Sequence, residues 1–245
     1  MPDRAWGGAI IWLNWQRRGD FQDLLRQTLA QHPALGNFGW SHINAETSVA
    51  HEALVNMFFA TPWLSFDAFV VEAAPSKLNT AEFSELQRRA LEDFLHSQIT
   101  ERLRAEPDEP QPLRVWIDGP AIGYGSRKAS VAALEDHVLR PALGRLRPVD
   151  KAIAHRTAKT PALQLAGLLL QSLLAAWQDS SVAAPRKGVQ NAIASHLGWP
   201  SLRTVSRPDD TKFNVHLGAP KQRSRRPTQL PLFEPLPSSR PAAPM

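Results

Sequence analysis

The 245-residue chain contains no cysteine, which excludes disulfides, thiolate metal ligands and a cysteine nucleophile and fits a reducing compartment such as the cytoplasm. It also lacks any apolar run of the ~18 residues that a membrane-spanning helix needs. Its start, MPDRAWGGAIIWLNW, carries an acid and a strand-like, tryptophan-rich run in place of a signal-peptide pattern, so no membrane partner is expected. Histidines at zinc-binding spacing are absent as well: His51-Glu52 is followed by Ala-Leu-Val, which breaks the His-Glu-x-x-His pattern. No Gly-x-Ser-x-Gly nucleophile turn occurs. GPAIGYGSRK lies between a strand-like and a helix-like segment, yet without Gly-Lys-Ser/Thr it reads as a plain turn, with Arg127 and Lys128 as weak anion contacts.

Positive charge is unevenly placed. From Gly218 onward Lys221, Arg223, Arg225, Arg226 and Arg240 face one acid, Glu234, so this tail holds most of the net charge of +5. The body, residues 1–217, is close to neutral, and attraction to phosphates that follows from net charge belongs chiefly to the tail. Seven of the 21 prolines fall in the last 28 residues, a composition that predicts a disordered tail over 218–245.

The body alternates strand and helix patterns. AWGGAIIWLNW predicts a strand, and Phe21, Leu24, Leu25 and Leu29 a helix after it. Ala50, Ala53, Leu54, Met57 and Phe58 mark a second helix leading through Thr61-Pro62 into the strand LSFDAFVVE. Asn79 with Glu82 forms a capping-box signature for a long surface helix from Phe83 through Leu103. After EPDEPQP come the strand PLRVWID, a helix carrying Val131, Leu134, Val138 and Leu139, and the run TPALQLAGLLLQSLLAAW, apolar on nearly every side and therefore interior. A shorter helix stops at Gly198, and KFNVHL closes the body as a strand. Of the eight tryptophans, Trp12, Trp63, Trp116 and Trp177 lie on apolar elements and are expected in the core, leaving Trp40 and Trp199 as candidates for exposure.

Three stretches resemble the bacterial domain-of-unknown-function 3800 family: NFGWSHINAETSVAHEALVNMFFATPWLSFDAFVVE, VWID, and TAKTPALQLAGLLLQSLL, with KFNV also fitting. The resemblance covers most of residues 5–217 and implies an α/β, ribonuclease-H-like mixed sheet flanked by helices. Members begin with a strand ending in Asp-Glu-Ser; the present sequence starts at what looks like the following strand, so the first family strand is expected to be absent. An upstream start would restore that acid and leave two further departures in place. Asn37 stands where the family has the Glu of Glu-x-Lys-Trp, with Gly39 replacing the Lys and Trp40 retained, and Gly167 stands where an Asp closes Gln-Leu-Ala-Asp. Asp118 alone matches a family acid, and Glu72, ending FDAFVVE, is a possible second ligand. Two-metal phosphodiester hydrolysis needs several carboxylates to hold two Mg²⁺ or Mn²⁺ ions about 4 Å apart, and Asn and Gly supply no charge. The resemblance therefore implies an impaired nuclease kept for binding or assembly, with no cofactor. The alternative is a metal-dependent nuclease rearranged around Asp118 and Glu72 with Mg or Mn, and a purely structural subunit is a third reading. Family members resemble parts of mobile-element or phage-defence loci.

Within the tail, Gln229-Leu230-Pro231-Leu232-Phe233 resembles the bacterial sliding-clamp-binding pentapeptide. A flexible segment of this kind can lay Leu232 and Phe233 into an apolar pocket while Gln229 hydrogen-bonds at its rim, so Gln229, Leu230, Leu232 and Phe233 are the expected clamp-binding residues. Arg223, Arg225 and Arg226, just before it, would then lie near DNA threaded through the clamp.

Overall fold

The computed structural model describes residues 5–33, 35–72, 79–105, 113–118, 149–155, 160–178, 181–207 and 209–218. The helix expected around Val131–Leu139, the turn GPAIGYGSRK and the tail beyond Gly218 lie outside these residues. Strand β1 (Trp6–Leu13) leads through a 3-10 turn (Trp15–Arg17) into α1 (Arg18–Ala30), then α2 (Ser48–Ala60) and β2 (Leu64–Val71). Helix α3 (Thr80–Ala105), strands β3 (Leu113–Asp118) and β4 (Val149–His155), helices α4 (Pro161–Trp177) and α5 (Ala184–Leu197) and strand β5 (Phe213–Leu217) follow. The result is an α/β protein built on a mixed three-stranded sheet. Among the described residues no helix is long and apolar enough to cross a membrane.

Strand β2 is the middle of the sheet, antiparallel to β1 and parallel to β5. Its sequence explains that position, because it is buried along nearly its whole length, as a strand covered on both faces must be. Side chains alternate between two layers. Phe66, Ala68 and Val70 join Phe213 and Val215 in the main core, shared with Leu54 and Phe58 of α2, Leu165, Leu168 and Leu169 of α4, and Val189 and Ile193 of α5. On the opposite face Trp6 and Phe69 meet Ala90 and Phe94 of α3. Helix α3, expected at the surface, thus covers a sheet face along its apolar side. β3 and β4 form a separate parallel pair; β4, VDKAIAH, was not anticipated because its small and charged residues give no apolar run.

Local chemistry sets several boundaries. The Asn79 side chain accepts from the Glu82 amide and the Glu82 carboxylate from the Asn79 amide, both at 2.9 Å, as the capping box requires. Helix α4 opens with Pro161 directly after Thr160, and α5 ends at Gly198 with φ of 64°, a left-handed cap that glycine adopts without strain. Gly7 and Gly8 in β1 permit close packing: a Cβ on Gly7 would lie 2.0 Å from the Phe69 carbonyl oxygen, and one on Gly8 2.7 Å from the Phe69 ring and 2.9 Å from Leu91.

Two glycine substitutions should therefore act in opposite directions. Gly7→Ala is expected to cost about 2 kcal/mol or more because backbone must move. Gly167→Ala, inside α4 with no atom near the added methyl, should stabilise by about 0.5–1 kcal/mol. Urea denaturation of both variants checks the pair.

Candidate functional site

The segment Leu35–Trp40 and helix α4 are far apart in sequence and meet in the fold. The backbone N–H of Phe38 donates to the Gln164 side-chain oxygen at 3.3 Å, and both residues are buried. This bond brings together the loop bearing Asn37 and the helix bearing Gly167. Asn37 is exposed, and a Cβ at Gly167, one helical turn beyond Gln164, would meet open space. Glycine at 167 is therefore not imposed by packing. Trp40 is half-buried against the main core, and the guanidinium of Arg186 in α5 lies 5.5 Å from its ring.

The other sequence-derived candidates lie elsewhere in the fold. Glu72 follows the last residue of β2, is exposed, and is paired at 3.7 Å with Arg203, whose guanidinium also lies over Trp177. Asp118 is the last residue of β3, in register with His155 of β4. Among the described residues no group of three or more His, Cys, Asp or Glu side chains is spaced to hold a metal ion. Gln229, Leu230, Leu232 and Phe233, with Arg223, Arg225 and Arg226, fall outside the described residues.

A carboxylate that the sequence reading passed over occupies the middle of the sheet. Asp67 of β2 is 7% exposed, accepting from the Trp12 indole N–H on one oxygen and from the Asn214 amide at 2.7 Å on the other. Its two partners come from the flanking strands β1 and β5, so its acceptor capacity serves the sheet. An acid amid apolar residues was the available signal.

Two more polar groups, the half-buried Lys212 and the buried His51, are structural in their contacts. Lys212, just before β5, donates to the carbonyls of Thr61 and Leu64, the latter at 2.6 Å, and lies over the Phe58 ring; burial draws its ammonium down to about 8. His51 in α2 is fully buried, with Nδ1 2.7 Å from the Thr47 carbonyl; burial outweighs that bond and holds the imidazole below its ordinary 6.5.

The tryptophans depart from expectation. Trp177 is buried, as expected, whereas Trp12 and Trp63 are only half-buried and carry arginines on their rings. Trp40 and Trp199, the candidates for exposure, are half-buried against the core. No protein-family model matches the chain, and neither a curated protein nor a solved structure matches it.

Asp67→Ala should destabilise the fold by about 3 kcal/mol, since it strands two donors near the core, whereas Glu72→Ala should cost about 0.5 kcal/mol, as exposed ion pairs do. Chemical denaturation compares them. For His51 the folded-state pKa is lowered, so below pH 6.5 the unfolded chain takes up a proton that the folded chain refuses. Thermal midpoints are expected to fall as pH drops from about 7 to 5, and less steeply in His51→Gln.

Proposed function

We propose that this protein is a ribonuclease-H-like subunit with an impaired metal centre that serves as an adaptor or sensor at DNA, tethered through Gln229–Phe233 to a bacterial-type sliding clamp. The observation that carries the reading is the Phe38–Gln164 hydrogen bond. It joins the loop and helix whose family counterparts supply carboxylates, and in this chain that junction offers the neutral Asn37 and the side-chain-free Gly167. Two hard cations packed a few ångströms apart need negative charge from several sides, which neither residue can give. The mixed sheet with helices on both faces is compatible with such a fold. The family resemblance further suggests a setting in a phage-defence or mobile-element system in the cytoplasm.

The tail completes the proposal. A short peptide with Leu232 and Phe233 as anchors binds by filling an apolar pocket, and the three arginines before it add contacts to phosphates of encircled DNA.

Purified protein with Mg²⁺ or Mn²⁺ is expected to leave single- and double-stranded DNA and RNA uncut. Cleavage lost in both Asp118→Ala and Glu72→Ala would overturn the proposal in favour of a metal-dependent nuclease with a rearranged site. In a binding assay with a bacterial sliding clamp, the double substitution Leu232→Ala and Phe233→Ala should weaken the interaction at least about tenfold, roughly 1.4 kcal/mol. Equal affinity of the wild-type and substituted chains would remove the tether.

A further inference from the structure

Arg186, in the first turn of α5, is a cation without a partner in the chain. Its guanidinium lies 5.5 Å from the centre of the Trp40 ring, and its Nε is sealed from solvent with no hydrogen-bond acceptor. Among the described residues nothing accepts a hydrogen bond from this guanidinium, and neither the half-buried Arg186 nor the exposed Lys187 beside it is ion-paired. Withdrawing a charged N–H from water without an acceptor is costly, and the rest of the fold does not offset that cost by hydrogen bonding. Trp40 belongs to the segment Leu35–Trp40 that also bears Asn37, so these cations adjoin the loop that Gln164 holds.

The start of α5 adds to the same charge. The Lys187 N–H donates to the Ala183 carbonyl at 3.0 Å, so the Ala184 and Arg186 N–H groups lie ahead of that bond, and Pro185 has none. Ala183 has no side chain that accepts from them, and the first turn holds no acid. Two cations there oppose the helix dipole, so helix stability does not account for them. One carboxylate comes near, that of Glu52 in α2: a Cβ on Gly188 would lie 2.6 Å from its Oε1. Glu52 is half-buried and is ion-paired with neither cation.

We propose that Arg186, Lys187 and the leading N–H groups of α5 bind the terminal phosphate of a nucleotide or of a nucleic-acid strand. A guanidinium held on an indole ring has already lost rotamer freedom, so it meets an anion at little further entropic cost. The helix start presents N–H donors to the same anion. Donors arriving from several directions suit a tetrahedral phosphate better than a planar carboxylate, which a guanidinium meets along one edge. Charge then chooses among phosphates. A terminal monoester carries about 1.5 to 2 negative charges at neutral pH, whereas each internal diester of a strand carries one. Two cations and a helix dipole, opposed by the single Glu52 carboxylate, favour the more highly charged form. The inference deepens the proposed function and rests on it for one point, that the ligand is a component of nucleic acid. Where the neutral Asn37 and Gly167 offer no charge to hold metal ions, two side-chain cations next to that loop supply positive charge for a phosphate.

The test is fluorescence anisotropy of the full chain with internally labelled oligo-dT bearing a 5′-phosphate, a 3′-phosphate or hydroxyl ends only. Wild type is compared with Lys187→Glu, Arg186→Gln, Glu52→Gln and the tail variant Arg223→Ala with Arg225→Ala and Arg226→Ala. Circular dichroism and thermal midpoints establish that each is folded. Wild type is expected to prefer at least one phosphorylated end over hydroxyl ends about tenfold, as charge-assisted hydrogen bonds give. The preference should be lost in Arg186→Gln and in Lys187→Glu, the latter an exposed position whose change leaves the core untouched. It should rise about threefold in Glu52→Gln, where a nearby negative charge is removed, an effect that a purely structural role for these residues would not produce. The tail variant should bind every strand more weakly and keep the preference. Thymidine monophosphate competing as well as the phosphorylated strand, with thymidine inert, assigns the position to free nucleotides; weaker competition assigns it to strand ends. Equal affinity for phosphorylated and hydroxyl ends, a preference unchanged in Lys187→Glu, or competition by a glutamate-rich peptide equal to that by the phosphorylated strand would each overturn the inference. Clamp affinity and cleavage are read separately on the same proteins. Phosphate preference without clamp binding removes only the proposed function, and clamp binding without phosphate preference removes only this inference.

Discussion

Asp67 is the constraint on which the sheet depends. A carboxylate withdrawn from water costs several kcal/mol unless its oxygens are occupied, and the occupants here come from both neighbouring strands. A slip of β1 or β5 by one residue would turn Trp12 or Asn214 to the opposite face and leave the acid unpaired. The apolar layers favour burial without choosing among registers with equal precision. One acid thus fixes the alignment of three strands, and that alignment aims Trp12 toward α3 and sets the loops that carry Trp15 and Trp63.

Much of the architecture was legible because it rests on local patterns. The capping box at Asn79 and Glu82, the proline opening α4, the glycine ending α5 and the apolar run of β2 each announce themselves within a few residues. What escaped depends on partners distant in sequence. Strand β4 pairs along its length with β3 without an apolar signature of its own. Asp67 in isolation looks like an interruption in a strand, and its meaning lies in Trp12 and Asn214. Trp12 and Trp63 read as core because nothing nearby in sequence indicates that arginines will cover rings left partly in solvent. The Asn37 and Gly167 positions could be singled out by resemblance, but the joining of their loop and helix through the Phe38–Gln164 bond, across 126 residues, is a property of the fold.

The scaffold and the chemistry separate cleanly at that junction. Gln164 ties loop to helix, Leu165, Leu168 and Leu169 fill the core, and Gly167 faces unfilled space in the same helix. A position that packing leaves free tolerates a change of side chain without disturbing its neighbours, whereas Gln164 cannot be altered so cheaply.

The position of β5 has a consequence for the birth of the molecule. Its Asn214 meets Asp67 across 147 residues, and Lys212 closes the corner between α2 and β2 by capping the Thr61 and Leu64 carbonyls. On the ribosome β2 is made early and must wait for nearly all the remaining chain before its second neighbour emerges. Until then one edge of an almost wholly apolar strand stands open to any strand of similar character, from this chain or another. Translation speed through residues 72–212, or a chaperone resting on that edge, would then govern how much of the protein reaches its native form.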